Sequence, residues 1–114
     1  MNLELSDIER GLMLRTGQGK RALKLALEGV KLLDRKQLDY GPNNILYSGE
    51  MGIVVRCQDK ICRLRHLLEK GGDAQNESLE DSYRDLANYG IIGMMLHRGE
   101  WADPSNKPSE PPLN

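Results

Sequence analysis

The 114-residue sequence predicts an all-α fold, a small bundle of about four helices. Three observations point there. Apolar residues make up 39% of the chain but include no Phe and a single Trp, so the core falls to Leu, Ile, Val and Met, a palette that favours helices. Apolar positions recur at helical spacing in four stretches, separated by breaks rich in Gly, Pro and Asn. No strand-like alternation of useful length interrupts them; "IVVRC" reads as a strand only when taken alone.

In chain order, Ser6 and Glu9 have the spacing of a capping box and open a short helix through about Arg15, ended by "TGQG". A second helix runs from about Lys20 to Leu38, with Leu23, Leu27, Val30 and Leu33 as its stripe. The segment "DYGPNNILYSGEMG" reads as a long connection because Gly41-Pro42-Asn43-Asn44 is strong turn chemistry, and long ordered loops are often functional. The third helix spans about Met51 to Lys70. Ile53, Cys57, Ile61, Leu64, Leu67 and Leu68 share one arc of it, and Arg56, Asp59, Arg63 and His66 another. After "GGDAQN" a fourth helix runs from about Glu77 to Arg98. Residues 1–101 read as one domain, and 102–114, rich in Pro, Ser and Asn, as a disordered tail.

A net charge of −1 with 29% charged residues argues against duplex nucleic acid as a partner, which wants a strong basic excess. The N-terminal "MNLELSDIERG" has no signal-peptide pattern, and Ile91–Leu96, the longest apolar run, is too short to span a bilayer, so neither a membrane nor export is expected. Cys57 and Cys62 lie five apart on a helix, roughly 140° around its axis, which disfavours a mutual disulfide and suits a reducing cytoplasm. A core poor in aromatics leans toward a homo-oligomer.

Chemistry concentrates on the fourth helix. Glu77, Asp81 and Asp85 follow i, i+4, i+8, and with Asn88 they lie within a sector of about 80°, bordered by Arg84. Leu79, Tyr83, Leu86 and Gly90 on the other side form the expected core stripe. Glu77 and Glu80 suit a first turn, where the helix dipole favours acids. Asp81, Asp85 and Asn88 are poor helix formers that lead into an apolar run, so Asp85 and Asn88 are expected to approach the interior and to need partners. Those partners are expected on the third helix, in the row Arg56, Asp59, Arg63 and His66 with Lys60 beside it; an exposed face laced by pairs such as Asp59–Arg63 is the plainer alternative. His66 has no His or Cys companion at ligand spacing and reads as structural. No zinc signature, no nucleophile paired with His and no phosphate loop is present, since "TGQGK" lacks the full pattern and its preceding strand.

The elements "LDYGPNN", "GIVVRCQDKICRLRHLL" and "ESLEDSYRDLANYGIIGMML" together resemble the nucleotide modification-associated domain 1 family, small domains common in bacteriophages and scattered in bacteria. The resemblance covers about residues 36–97. It rests most on Tyr40-Gly41, on Asp59-Lys60 with Arg63-Leu64, and on Asp81 with Asp85-Leu86-Ala87-Asn88-Tyr89. It implies a helical domain that binds or acts on nucleotides, in the host cytoplasm if phage-encoded. The ligand-binding residues it suggests are Tyr40, Gly41, Asn44, Arg56, Asp59, Lys60, Arg63, Asp81, Arg84, Asp85, Asn88 and Tyr89. In that reading Arg56, Lys60 and Arg63 hold phosphate, Tyr40 or Tyr89 stacks on a base, and Asp81, Asp85 and Asn88 bind base or ribose or position an ion.

More distantly, "DLANYGIIGMML" resembles the acidic helix of MazG-type nucleotide pyrophosphohydrolases, which implies magnesium on Asp81 and Asp85. The third helix departs from that pattern, with Arg56, Asp59, Lys60 and Arg63 where those enzymes show Glu-Glu-x-x-Glu. Three readings follow: a non-catalytic binder that sequesters a nucleotide-derived signal, such as a cyclic nucleotide of host immunity; a magnesium-dependent pyrophosphohydrolase; and a structural or regulatory interaction protein. The cation-rich third helix favours binding.

Overall fold

The computed structural model describes residues 4–71 and 76–101, with backbone only for residues 76–78. The expected tail at 102–114 and most of the "GGDAQN" break lie outside the described residues, as does the side chain of Glu77. Four helices follow one another, α1 Leu5–Gly11, α2 Gly17–Tyr40, α3 Asn43–Lys70 and α4 Asn76–His97, and the described residues contain no strand. The all-α expectation holds.

The helix starts differ from expectation at two places. Ser6 is not a cap: the N-cap of α1 is Glu4, without a side-chain cap bond, and Ser6 lies inside the helix, past the position from which its hydroxyl could receive a first-turn amide. Helix α1 stops at Gly11, not near Arg15, because Met13 turns into the left-handed region at φ 59°. Thr16 then caps α2, its hydroxyl oxygen accepting the Gly19 amide at 2.9 Å, so "TGQG" begins a helix and does not end one.

The expected long connection before Met51 is a two-residue corner. Helix α2 ends at Gly41 (φ 70°), and α3 starts immediately after Pro42, whose carbonyl accepts from Ile45 and Leu46. Asn43 and Asn44, read as turn residues, occupy a first helical turn, where the amides have no partner further back in the helix. The irregularity sits further on, at Gly49, with φ 64° and ψ −158° inside α3. This kink brings Ile45 before it and Ile53 after it into one core cluster with Ile92 and Trp101. Leu33, Cys57, Tyr89, Met95 and Leu96 pack around that cluster. Trp101 follows α4 and donates its indole N–H to the Pro42 carbonyl at 3.0 Å, stapling the end of the hairpin to the α2–α3 corner.

Helices α3 and α4 form an antiparallel hairpin. Its register is fixed by Glu50–His97, by Ile53 against Gly93, and by Lys60–Asp85, with Leu64, Leu67 and Ser82 buried between. Helix α2 packs on α4 from the other side, and α1 contacts α2. Among the described residues no helix is long and apolar enough to cross a membrane. Cys57, half-buried, and Cys62, exposed, are both free thiols.

The facing of α4 is the main correction to the sequence reading. Tyr83 and Gly90, expected in the core stripe, are exposed, while Ser82, Asn88 and Ile92 are buried and Asp85 and Tyr89 half-buried. Two helices embrace the polar side of α4, so that side is the inner one. For the same reason Ile61 and Leu68 on α3 face outward, as do Leu27 and Val30 on α2.

The kink has a testable cost. The backbone of Gly49 occupies a region essentially reserved for glycine, so Gly49→Ala should lower unfolding stability by about 1–3 kcal/mol in denaturant titrations.

A cavity between α2, α3 and α4

Where the three longer helices meet they enclose a cavity of about 150 Å³. From α2 it is lined by Leu33, Lys36, Gln37 and Tyr40, the i, i+3, i+4, i+7 face of that helix. Asn44, Ile45 and Arg56 come from α3, and Asp85, Asn88, Tyr89 and Ile92 from α4. The floor is the edge of the hydrophobic cluster, through Ile45 and Ile92. The walls and rim carry charge, amides and two phenols.

Asp85 organises the polar wall. Its Oδ2 accepts from Lys60 Nζ at 2.8 Å, and its Oδ1 accepts from Lys36 Nζ at 3.3 Å, so one carboxylate on α4 joins α2 and α3. Burial by itself would raise the carboxyl pKa; the hydrogen bond from Lys60 and the charge of Lys36, with further contributions from both lysines, outweigh it and hold the group below the usual aspartate value. One turn on, Asn88 is buried and donates its side-chain amide to the Gly29 carbonyl at 3.1 Å. The approach is close: a Cβ on residue 29 would meet Asn88 Oδ1 at 3.2 Å. Arg84 extends the seam by pairing with Glu28 at 3.1 Å. Arg56, half-buried, donates to the Asn44 carbonyl at 3.5 Å across the α3 kink.

Of the residues expected to bind ligand, Tyr40, Asn44, Arg56, Asp85, Asn88 and Tyr89 meet at the cavity. Lys60 stands behind it as the partner of Asp85. Gly41 serves as the cap that ends α2, and Arg84 is committed to Glu28. Asp59, Arg63 and Asp81 are exposed and do not line the cavity, and among the described residues Arg63 forms no ion pair with an acid of α4. On an α-helix Arg56 and Lys60 share a face, while Asp59 and Arg63 turn about 60–100° away from Lys60. Of the α2 contribution the sequence reading found Tyr40 but missed Glu28, Gly29, Leu33, Lys36 and Gln37. The spacing of Leu33, Lys36, Gln37 and Tyr40 was a helical face in plain view, overlooked because α2 was read only for its Leu23–Leu33 stripe.

The residues do not fit a magnesium centre. Both oxygens of Asp85 are engaged by ammonium groups, Asp81 is exposed, and the described residues contain no group of three or more His, Cys, Asp or Glu able to hold a metal.

Fold and cavity together define a small all-α domain with a ring-sized pocket, apolar at its floor and charged at its rim, at a three-helix junction. The chain belongs to the nucleotide modification associated domain 1 family, whose model matches residues 36–96, more than half of the chain. No curated protein and no solved structure matches it. The matched span begins at Lys36 and so takes in the cavity-lining end of α2 as well as α3 and almost all of α4.

Two outcomes follow from the polar wall. Asp85→Asn should cost about 1–3 kcal/mol at pH 7, because it leaves two ammonium groups beside a neutral amide. The carboxyl titrates lower in the folded chain than in the unfolded one, so its stabilisation is complete above the unfolded value of about 4 and is lost as pH falls through the folded value. Denaturant titrations of wild type and Asp85→Asn should therefore draw together as pH falls below about 4. Gly29→Ala should also destabilise, by about 1–2 kcal/mol, by pressing on Asn88, so Asn88→Ala should cost less in that background than in the wild type.

Proposed function

We propose that the protein binds a nucleotide, or a small molecule derived from one, in the cavity between α2, α3 and α4. The observation that carries this is the charge and shape of the pocket. Lys36 and Lys60 pair with the single carboxylate of Asp85 and Arg56 shares the lining, leaving a cationic excess beside two phenol rings and three side-chain amides. A cavity of 150 Å³ is about the size that encloses one benzene ring. It therefore takes a base, and the sugar and phosphates stay at the mouth. Tyr40, exposed at the rim, and Tyr89, half-buried in the wall, offer faces for stacking. Gln37, Asn44 and Asn88 offer donors and acceptors to the base edge. Lys36 takes the phosphate-holding place first expected of Arg63, beside Arg56, whose planar fork suits a phosphate. The family description supports a nucleotide-related role.

Retention without turnover suits this arrangement better than hydrolysis does, because the acid nearest the pocket is already neutralised by lysines. The fuller form of the proposal is a binder that sequesters a nucleotide signal, with cyclic nucleotides of host immunity among the candidates for a phage-encoded protein. Incubation with a panel of linear and cyclic nucleotides, with and without magnesium, followed by mass analysis before and after denaturation, tests it. Intact ligand released on denaturation is the expected result, and Arg56→Ala and Tyr89→Ala should each weaken retention by roughly tenfold or more. New monophosphate products would instead support the MazG-type pyrophosphohydrolase. Neither retention nor turnover across the panel would overturn both and leave a structural or regulatory role.

A further inference from the structure

The α3–α4 hairpin has two broad sides, and the described residues cover only one. Toward α2, α4 presents Arg84, Asp85 and Asn88, and α3 presents Lys60 to the same seam. The opposite side carries Val54, Ile61 and Leu68 on α3, seven residues apart, and Tyr83, Gly90 and Met94 on α4. On a helical wheel each row lies roughly 80–180° from its helix's seam residues and turned away from α2, so both rows share one face of the hairpin. The register set by Glu50–His97, Ile53–Gly93 and Lys60–Asp85 interleaves them. Tyr83 falls between the levels of Ile61 and Leu68, and Gly90 and Met94 flank the level of Val54.

The face is apolar and open: Val54 is 48% exposed, Ile61 54%, Leu68 59%, Tyr83 55% and Met94 57%. Taking roughly 150–220 Å² for each side chain fully exposed, these five leave about 500 Å² of mainly apolar surface, at the upper end of what a monomer shows. Interface cores are about 60–65% apolar, so that area corresponds to an interface of about 800 Å² per partner, the standard size of a stable complex. Arg65, beside the rows, is paired with Glu69 within α3 at 3.3 Å, so it is not free to select a partner of opposite sign. We infer that this face is covered by the same face of a second copy, two α3–α4 hairpins closing a four-helix core across a two-fold axis with an α2 on each outer side. Heptad spacing along α3 and the small Gly90 on α4 suit helix-to-helix packing of this kind. The exposed apolar row on α2, Leu27 and Val30, is a poorer candidate, because Asp34 interrupts it and Lys24 and Lys31 flank it.

Light scattering and sedimentation equilibrium on the full chain test this, with far-UV circular dichroism reporting helicity. The wild type should have the mass of a dimer, and Ile61→Asp and Tyr83→Arg should each raise the dissociation constant at least about 30-fold. Both side chains are half exposed in the single chain, so helicity should be retained. Val30→Asp, on the α2 row, should leave the dimer intact. A wild type that is monomeric at every concentration would overturn the proposal, as would a dimer that tolerates both hairpin variants or one that dissociates on Val30→Asp. Loss of helicity in both hairpin variants would show that the face belongs to the fold of the single chain, and would overturn it too.

Discussion

One half-buried carboxylate holds three helices together. Asp85 on α4 reaches Lys36 on α2 and Lys60 on α3, and one turn later Asn88 takes hold of the α2 backbone at Gly29. The α3–α4 hairpin has its own apolar contact along Ile53, Leu64, Leu67 and Ile92. The attachment of α2 leans much more on this polar seam, joined by Arg84–Glu28 and by Leu33 at the edge of the core. Charges in such a position are costly unless paired, and that cost fixes the geometry: sliding α2 by a residue would strand Asp85, Asn88 and their partners together.

The same seam explains why the cavity exists where it does. Helices joined by long polar side chains do not close as tightly as helices joined by interdigitated Leu and Ile. Next to the seam, the Gly41-Pro42 corner and the Gly49 kink carry the chain around without filling the gap. Trp101 closes the far end by bonding to Pro42, so the junction is firm at its apolar base and open at its charged mouth. A pocket with a firm floor and a cationic rim is preorganised for a flat ring bearing an anionic group. The lysines on Asp85 serve the fold and shape the electrostatics of the mouth at once.

Much of this was legible in the sequence. Four helices, their approximate order and the inward turn of Asp85 and Asn88 all followed from spacing and from the cost of placing poor helix formers beside an apolar run. Tyr40, Arg56 and Tyr89, expected from the sequence to bind ligand, line the cavity. The failures share a cause. Periodicity tells which residues share a face of a helix, but not what that face meets. Leu79, Tyr83, Leu86 and Gly90 looked like a core stripe because they are mostly apolar, yet α4 has two neighbours on its polar side. Arg63 and Asp59 looked like partners for the acids because they are charged, but they point away from Lys60 by most of a right angle. Lys36 and Gln37 share a legible face of α2 with Leu33 and Tyr40, but local spacing does not say that this face meets α4.

The sequence by itself determined the helices, their breaks and the need of Asp85 and Asn88 for partners, since these depend on interactions within a few residues: hydrogen bonding along the chain, the freedom of glycine, and the desolvation of a single side chain. Only the tertiary structure decided which face of each helix turned inward, that Lys36 and Lys60 would answer Asp85 while Arg63 would not, and that a cavity would open between them. Those outcomes depend on how three rods of fixed pattern satisfy buried charge at once, a constraint that exists only when segments distant in the chain are brought together.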